Sequence, residues 1–317
     1  MKQQPAVLRL LSNRNFLLIS SIVLGIIAGR GAHRVQPLTL PGLALAMTVS
    51  VVQVDASSFR SLQNLARATL VSIFLNYVLL GGLTLLLARL WNPDPELWAG
   101  FVLSAAVPSG VAVIPFSFVL GGDTTLALLG SVGVYLSALV IMPYLVSVLV
   151  AAASVQPLRL LIVLVQLVLV PMLLSRLIRV SPLKAVVERW RGAVVNWAFA
   201  LLMFAVVGIN RDALLRQPMV LAGALAIALT GNFGLGFVLE WAMRRLHVSR
   251  SRRVTYLLMA SMKNTGLAAA TALALFTERT SVPAAVISAT NVFYLVWLGA
   301  RWSATDEGTP ARLPDAR

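Results

Sequence analysis

From about residue 16 to residue 300 the chain alternates long apolar stretches with short polar joints. The apolar segments fall at about 16–29, 37–53, 68–90, 97–121, 124–150, 157–178, 193–209, 218–243, 253–276 and 281–300. The first two are short, and the joint between the fourth and fifth is slight. About 20 apolar residues in a helix cross the hydrocarbon core of a bilayer. The pattern therefore predicts an all-α polytopic membrane protein with ten transmembrane helices and short loops.

Composition agrees. Hydrophobic residues make up 59% of the 317 residues and charged residues 12%. A soluble domain carries roughly 25% charged residues. With half that, a soluble fold would expose large apolar patches, which a lipid-facing surface avoids. The net charge of +15 raises nucleic acid as a partner. Its distribution argues against it, because the arginines sit in the joints and form no continuous stripe. The chain has no cysteine, which removes disulfides, thiol nucleophiles and cysteine metal sites. The two histidines, His33 and His247, both fall in loops, so neither a metal centre nor a cofactor is expected. Lys2, Arg9 and Arg14 precede the run Phe16–Gly29 in the manner of a signal peptide. No convincing small-residue cleavage site follows, so the run is read as a retained first helix.

Basic residues orient the spans. Alternate compartments beginning with the N-terminal tail hold 18 of them, with clusters at 176–191 and 244–253. The opposite loops hold seven: Arg30, Arg34, Arg89, Arg159, Arg211, Arg216 and Arg279. The positive-inside rule places both termini in the cytoplasm and favours an even number of spans. The expected location is the bacterial inner (plasma) membrane. Five spans precede residue 152 and five follow, giving halves 1–152 and 153–303. An odd number per half forces the halves into opposite orientations, as in an inverted-repeat transporter. Segment 179–192 is a cytoplasmic connector with room for a short surface helix. Residues 304–317 read as a disordered cytoplasmic tail.

Two spans, the fourth of each half, are unsuited to continuous helix. The first contains Val107-Pro108-Ser109-Gly110-Val111-Ala112-Val113-Ile114-Pro115, and two prolines flanking a glycine should break it near its middle. The second contains Ser261-Met262-Lys263-Asn264-Thr265-Gly266, with an ammonium, an amide and two hydroxyls at mid-membrane. Matching breaks in two halves are the best sequence pointer to a transport site. Simple kinks would explain the first break but not the lysine of the second. Lys263 lies roughly 15 Å from either interface at 1.5 Å rise per residue. Its side chain is too short to snorkel out. Placing it there costs about 2.5–3.5 kcal/mol on insertion scales. No acid is at hand: the carboxylates map to loops or span ends, and Glu240 lies four residues from Arg244. The ammonium must then be compensated by backbone carbonyls, by half-helix C-termini or by an anionic ligand. A structural lysine bonded to a neighbouring helix is the plainer reading. Asn232, in Thr230-Gly231-Asn232-Phe233-Gly234, reads as a mark of close helix packing.

The stretch Met259-Ala260-Ser261-Met262-Lys263-Asn264-Thr265-Gly266-Leu267-Ala268 resembles the bile acid:sodium symporter family, whose ninth helix carries E-x-G-x-Q-N-[ST]-G-L-A. Pro108-Ser109-Gly110-Val111-Ala112-Val113-Ile114 is similar to the family's fourth-helix P-G-G-x-x-[SA]-N. Met47 to Phe59 resembles the end of its second helix, and Asn76 then falls where the family places a sodium-binding Gln. The resemblance implies ten helices, with a four-helix panel and a six-helix core containing crossing helices 4 and 9. It also marks departures. The family's sodium-binding Glu falls on Met259, its Gln on Lys263, and its Ser-Asn pair on Val113 and Ile114. Hard cations need several oxygen ligands, so sodium coupling does not carry over. The expected function is a secondary carrier of small organic anions, such as bile-acid-like or pantoate-like carboxylates, working by alternating access. Half-helix N-termini and Lys263 would face the anionic group. The expected site residues are Asn76, Pro108, Ser109, Gly110, Ser261, Lys263, Asn264, Thr265 and Gly266. Lys263 either replaces sodium as a built-in cation or couples transport to protons. A membrane-embedded sensor or enzyme is the reading from another class. The partners expected are the organic anion and the lipid bilayer; the sequence leaves the oligomeric state open.

Overall fold

A computed structural model describes residues 14–52, 61–110, 112–150 and 157–303. The expected disordered tail lies outside them. The described residues form helices, and their only extended pairing is one isolated bridge between Ser109 and Lys263.

The fifteen α-helices of seven residues or more among the described residues are numbered in chain order. They are α1 Arg14–Ala28, α2 Thr39–Val51, α3 Leu62–Ile73, α4 Gly82–Trp91, α5 Pro95–Ala106, α6 Val113–Val119 and α7 Thr124–Leu149. Then come α8 Pro157–Leu164, α9 Val170–Val180, α10 Lys184–Ile209, α11 Pro218–Leu229 and α12 Leu235–Arg245. The last are α13 Arg250–Ser261, α14 Thr265–Leu275 and α15 Val282–Ser303. Among the described residues, seven stretches are long and apolar enough to cross a membrane. The count differs from ten for local reasons. The first two expected spans lie in one helical run, Phe16–Ser50, joined by short turns rather than an open loop. The broken pairs α5/α6 and α13/α14 each fall short as single helices.

Three helices are interrupted by wide π turns: Phe74–Gly81 between α3 and α4, Val165–Leu169 between α8 and α9, and Thr230–Gly234 between α11 and α12. Such turns release local backbone pairing and re-aim side chains, often at functional sites. The connector at 179–192 is not a separate surface helix. Only Ser181 to Leu183 turn, and α10 runs on unbroken from Lys184. Its exposed Val186, Trp190 and Trp197 continue the apolar outer face, so nothing favours a break there.

Two groups of helices pack together. In one, α10 lies against both α1 and α2, and α2 in turn packs on α9. In the other, α3 packs on α7, α5 on α7 and α15, α11 on α15, and α12 on α13. The groups meet where α14 touches α2 and α10. The main core runs through this junction, from Met47 and Leu43 to Leu202, Leu267 and Val146.

Candidate transport site

The site is built by the two helix breaks. Helix α5 stops at Ala106 because Val107 precedes a proline and is driven to extended backbone, φ −70° and ψ 152°. Helix α13 stops at Ser261, where Met262 is also extended, φ −117° and ψ 109°. The two extended segments run antiparallel and bond to each other. Gly110 N–H donates to Met262 C=O at 2.9 Å, and Asn264 N–H donates to Pro108 C=O at 2.8 Å. Backbone groups freed at membrane depth are thereby satisfied inside the protein, as the bilayer demands. Gly110 permits the approach, since a Cβ there would stand 3.2 Å from the Lys263 carbonyl oxygen.

Lys263 lies at this crossing and is only 4% exposed. Its Nζ donates to Asn76 Oδ1 at 2.8 Å, to Ala105 C=O at 2.6 Å and to Val107 C=O at 3.1 Å. The Tyr77 ring centroid lies 4.7 Å away. An ammonium has three protons, and all three are used. The carbonyls belong to the C-terminal end of α5, where unpaired C=O groups carry partial negative charge. Compensation therefore comes from helix-end carbonyls and one amide, and none of these acceptors is a carboxylate. The same geometry corrects one expectation. The ammonium points into the end of α5 and has no proton left for an anionic substrate.

Asn76 is held in the π turn after α3, and its Nδ2 has no partner among the described residues. Asn264 caps α14, its Oδ1 accepting from Leu267 N–H at 3.1 Å. Its Nδ2 faces Tyr135 Oη at 3.4 Å and Met47 Sδ at 3.9 Å. Thr265 Oγ1 bonds Ser288 Oγ at 3.0 Å. Pro108 and Ser109 lie on the extended segment, and the buried Ser109 hydroxyl has no partner among the described residues. All nine residues singled out in the sequence thus gather at the crossing, though two have other work. The Ser261 hydroxyl folds back onto Leu257 C=O. Gly266 is a packing position, with Leu202, Phe199 and Leu43 standing where a side chain would go. Sequence reasoning missed Tyr77, Tyr135, Met47, Ser288 and the Ala105 and Val107 carbonyls. Only the tyrosines carried any signal, as polar tips within apolar spans.

Two neighbouring arrangements bear on cation binding. Met259 is fully buried and its Sδ accepts from Ser72 Oγ at 3.1 Å, with Gly130 leaving room for its methyl. Val113 is fully buried in the same apolar cluster. In the π turn after α11, Asn232 bonds Asn291 at 2.7 Å. With its amide turned, the nitrogen instead donates to Ser261 C=O at 3.0 Å and the oxygen accepts from Asn291 N–H at 3.3 Å. Asn232 thus has a polar role beyond close packing. Glu240 pairs with Arg244 as the spacing suggested, at 2.6 Å, and also with Arg301 at 3.3 Å.

The pattern that defines the Sodium Bile acid symporter family matches residues 40–216, more than half of the chain. The chain belongs to that family. As a symporter-family member it is a multi-pass membrane transporter of the bile acid symporter type and not an enzyme. No individual curated protein matches it at a significant level. The matched region contains Asn76 and the α5/α6 break but ends before α13, so the Lys263 half of the crossing rests on geometry and on the motif.

Proposed function

We propose that this symporter-family protein is a sodium-independent carrier of small organic anions, with Lys263 as a tethered replacement for the coupling cation. The observation that carries the reading is the coordination of Nζ. Three neutral oxygens, two of them helix-end carbonyls, surround a fixed positive charge as they would surround a bound hard cation. Met259 strengthens it: where the family motif has a carboxylate, this chain has a thioether packed against Ser72 and Gly130. A carboxylate-bearing substrate is left to the N-terminal end of α14, whose positive dipole end lies at the crossing.

Ten membrane crossings in inverted halves, 1–152 and 153–303, fit the packing. The row α1, α10, α2, α9 is what such halves produce, since the first span of each meets the second of the other. The π turn bearing Asn76 then corresponds to the π turn bearing Asn232. Each amide lies against a break: Asn76 Oδ1 accepts from Lys263 Nζ, and the turned Asn232 amide donates to Ser261 C=O at the end of α13. Alternating access would move the α1, α2, α9 and α10 group against the rest, with both termini in the cytoplasm of a bacterial inner membrane.

The test is uptake of pantoate-like and bile-acid-like carboxylates into proteoliposomes, with sodium replaced by potassium or choline at fixed ionic strength. Unchanged uptake is expected. A tenfold fall, about 1.4 kcal/mol, overturns the proposal. Uptake that follows an imposed pH gradient, and loses that response in Lys263→Gln, would assign Lys263 to proton coupling instead.

A further inference from the structure

A second polar site lies away from the crossing, where three helices begin side by side. Helix α3 starts at Leu62, α7 at Thr124 and α13 at Arg250, and each packs on the other two. Between them opens a cleft of about 210 Å³, lined by Asn64, Arg67, Asp123, Thr125, Arg252 and Tyr256 and floored by apolar side chains. Arg67 and Arg252 face it from different helices, and among the described residues neither has an ion pair. Asp123 is the acidic group on the wall, and its Oδ1 is engaged as the cap of α7, accepting from Leu126 N–H at 2.9 Å.

We propose that this cleft binds a phosphate group, carried by a small soluble phosphate or by an anionic lipid headgroup. Two guanidinium forks lining one cleft from different helices suit a tetrahedral oxyanion, because each can donate two parallel hydrogen bonds. The asparagine, threonine and tyrosine side chains add neutral donors. The converging helix starts add positive potential, and a bound anion would offset both it and the two like charges that face one cleft. The open mouth lets the phosphate continue into an ester chain. The site is distinct from the transport crossing: Tyr256 lies five residues, about 7.5 Å of helix, before the end of α13 at Ser261, and Lys263 follows in the extended segment beyond. An occupant would tie α3, α7 and α13 together, and these helices lead to Asn76, carry Tyr135 and end at the second break.

The experiment is thermal unfolding of the full-length protein in detergent. Potassium phosphate is compared with potassium chloride at matched ionic strength. A parallel arm uses phosphatidylcholine nanodiscs with and without phosphatidylglycerol. A rise of about 2 °C or more is expected in at least one arm, and the arm in which it appears identifies the source of the phosphate. The double variant Arg67→Gln/Arg252→Gln alters exposed positions, so it should unfold like the parent in chloride and lose the rise. Should it fail to fold, Arg67→Lys and Arg252→Lys replace it, and at least half of the rise should then disappear. No rise in either arm, or a rise that survives these substitutions, overturns the proposal.

Discussion

At the scale of single residues, Lys263 decides most of what the site can do. A buried ammonium with three acceptors is stable only while all three remain. Lys263→Gln shortens the side chain and removes the charge, leaving the Ala105 and Val107 carbonyls under-satisfied. Charged hydrogen bonds contribute about 1.5–3 kcal/mol each in favourable settings. The variant should therefore lose about 3 kcal/mol of stability, read by thermal unfolding, and most of its uptake. Adding Met259→Glu supplies a carboxylate one helical turn before Lys263 in sequence, against Ser72. The double variant should recover part of both properties, and only when sodium is present. Parental stability and transport in Lys263→Gln would reduce the lysine to packing. Gly110 is a separate test of the crossing. Its Cβ hydrogens are absent where the Lys263 carbonyl approaches, so Gly110→Ala should cost about 1–3 kcal/mol by forcing the breaks apart. A differential unfolding measurement showing no loss would contradict the close approach.

At the scale of elements, the breaks were legible and their partners were not. Pro108, Gly110 and the polar run at 261–266 announce themselves, because proline lacks a donor and charge is rare at membrane depth. The π turns gave no warning. Phe74-Leu75-Asn76-Tyr77 reads as ordinary apolar helix, and a one-residue widening changes no residue type. The ammonium's acceptors were equally hidden, since carbonyls belong to every residue and only tertiary packing selects Ala105 and Val107. The long continuation of α10 was missed because its charged first turns look like loop. One carboxylate at a span end acts as a cap. Asp94 precedes Pro95 and caps α5, its Oδ1 accepting from Leu97 N–H at 3.1 Å, while Oδ2 accepts from Arg279 Nη2 at 2.7 Å. Partial burial pushes its carboxyl up, but the Arg279 guanidinium and the Leu97 N–H outweigh this and hold it below the ordinary carboxylate range. A group depressed in the folded state stabilises above its unfolded value, near 3.9, and that contribution is lost as pH falls through the folded value. Asp94→Asn should thus unfold at a lower temperature than the parent at pH 7, by a small margin because the pair is partly exposed. The two curves should converge below about pH 4; a gap that is constant with pH would show that the charge is irrelevant.

At the scale of the whole molecule, topology is the first thing to check. The orientation proposed from the clustering of basic residues has the joint between α12 and α13 in the cytoplasm and the turn before α15 outside. The chain has no cysteine, so single cysteines at Arg250 and Glu278 are clean reporters. They should react with a membrane-impermeant thiol reagent from opposite faces, and labelling from one face would refute the ten-span arrangement. A final consequence concerns the antiparallel pairing of residues 108–110 with 262–264. Two unwound segments would ordinarily be the softest parts of such a bundle. Here their amides hold each other: Gly110 N–H and Asn264 N–H are sealed across the pair at 2.9 and 2.8 Å. The four half-helices are in effect spliced at one knot, and neither segment can be displaced without dragging the other. Amide deuteration should accordingly be as slow at Gly110 and Asn264 as in the middle of α7, and conformational exchange should leave them protected while the α10 face loosens.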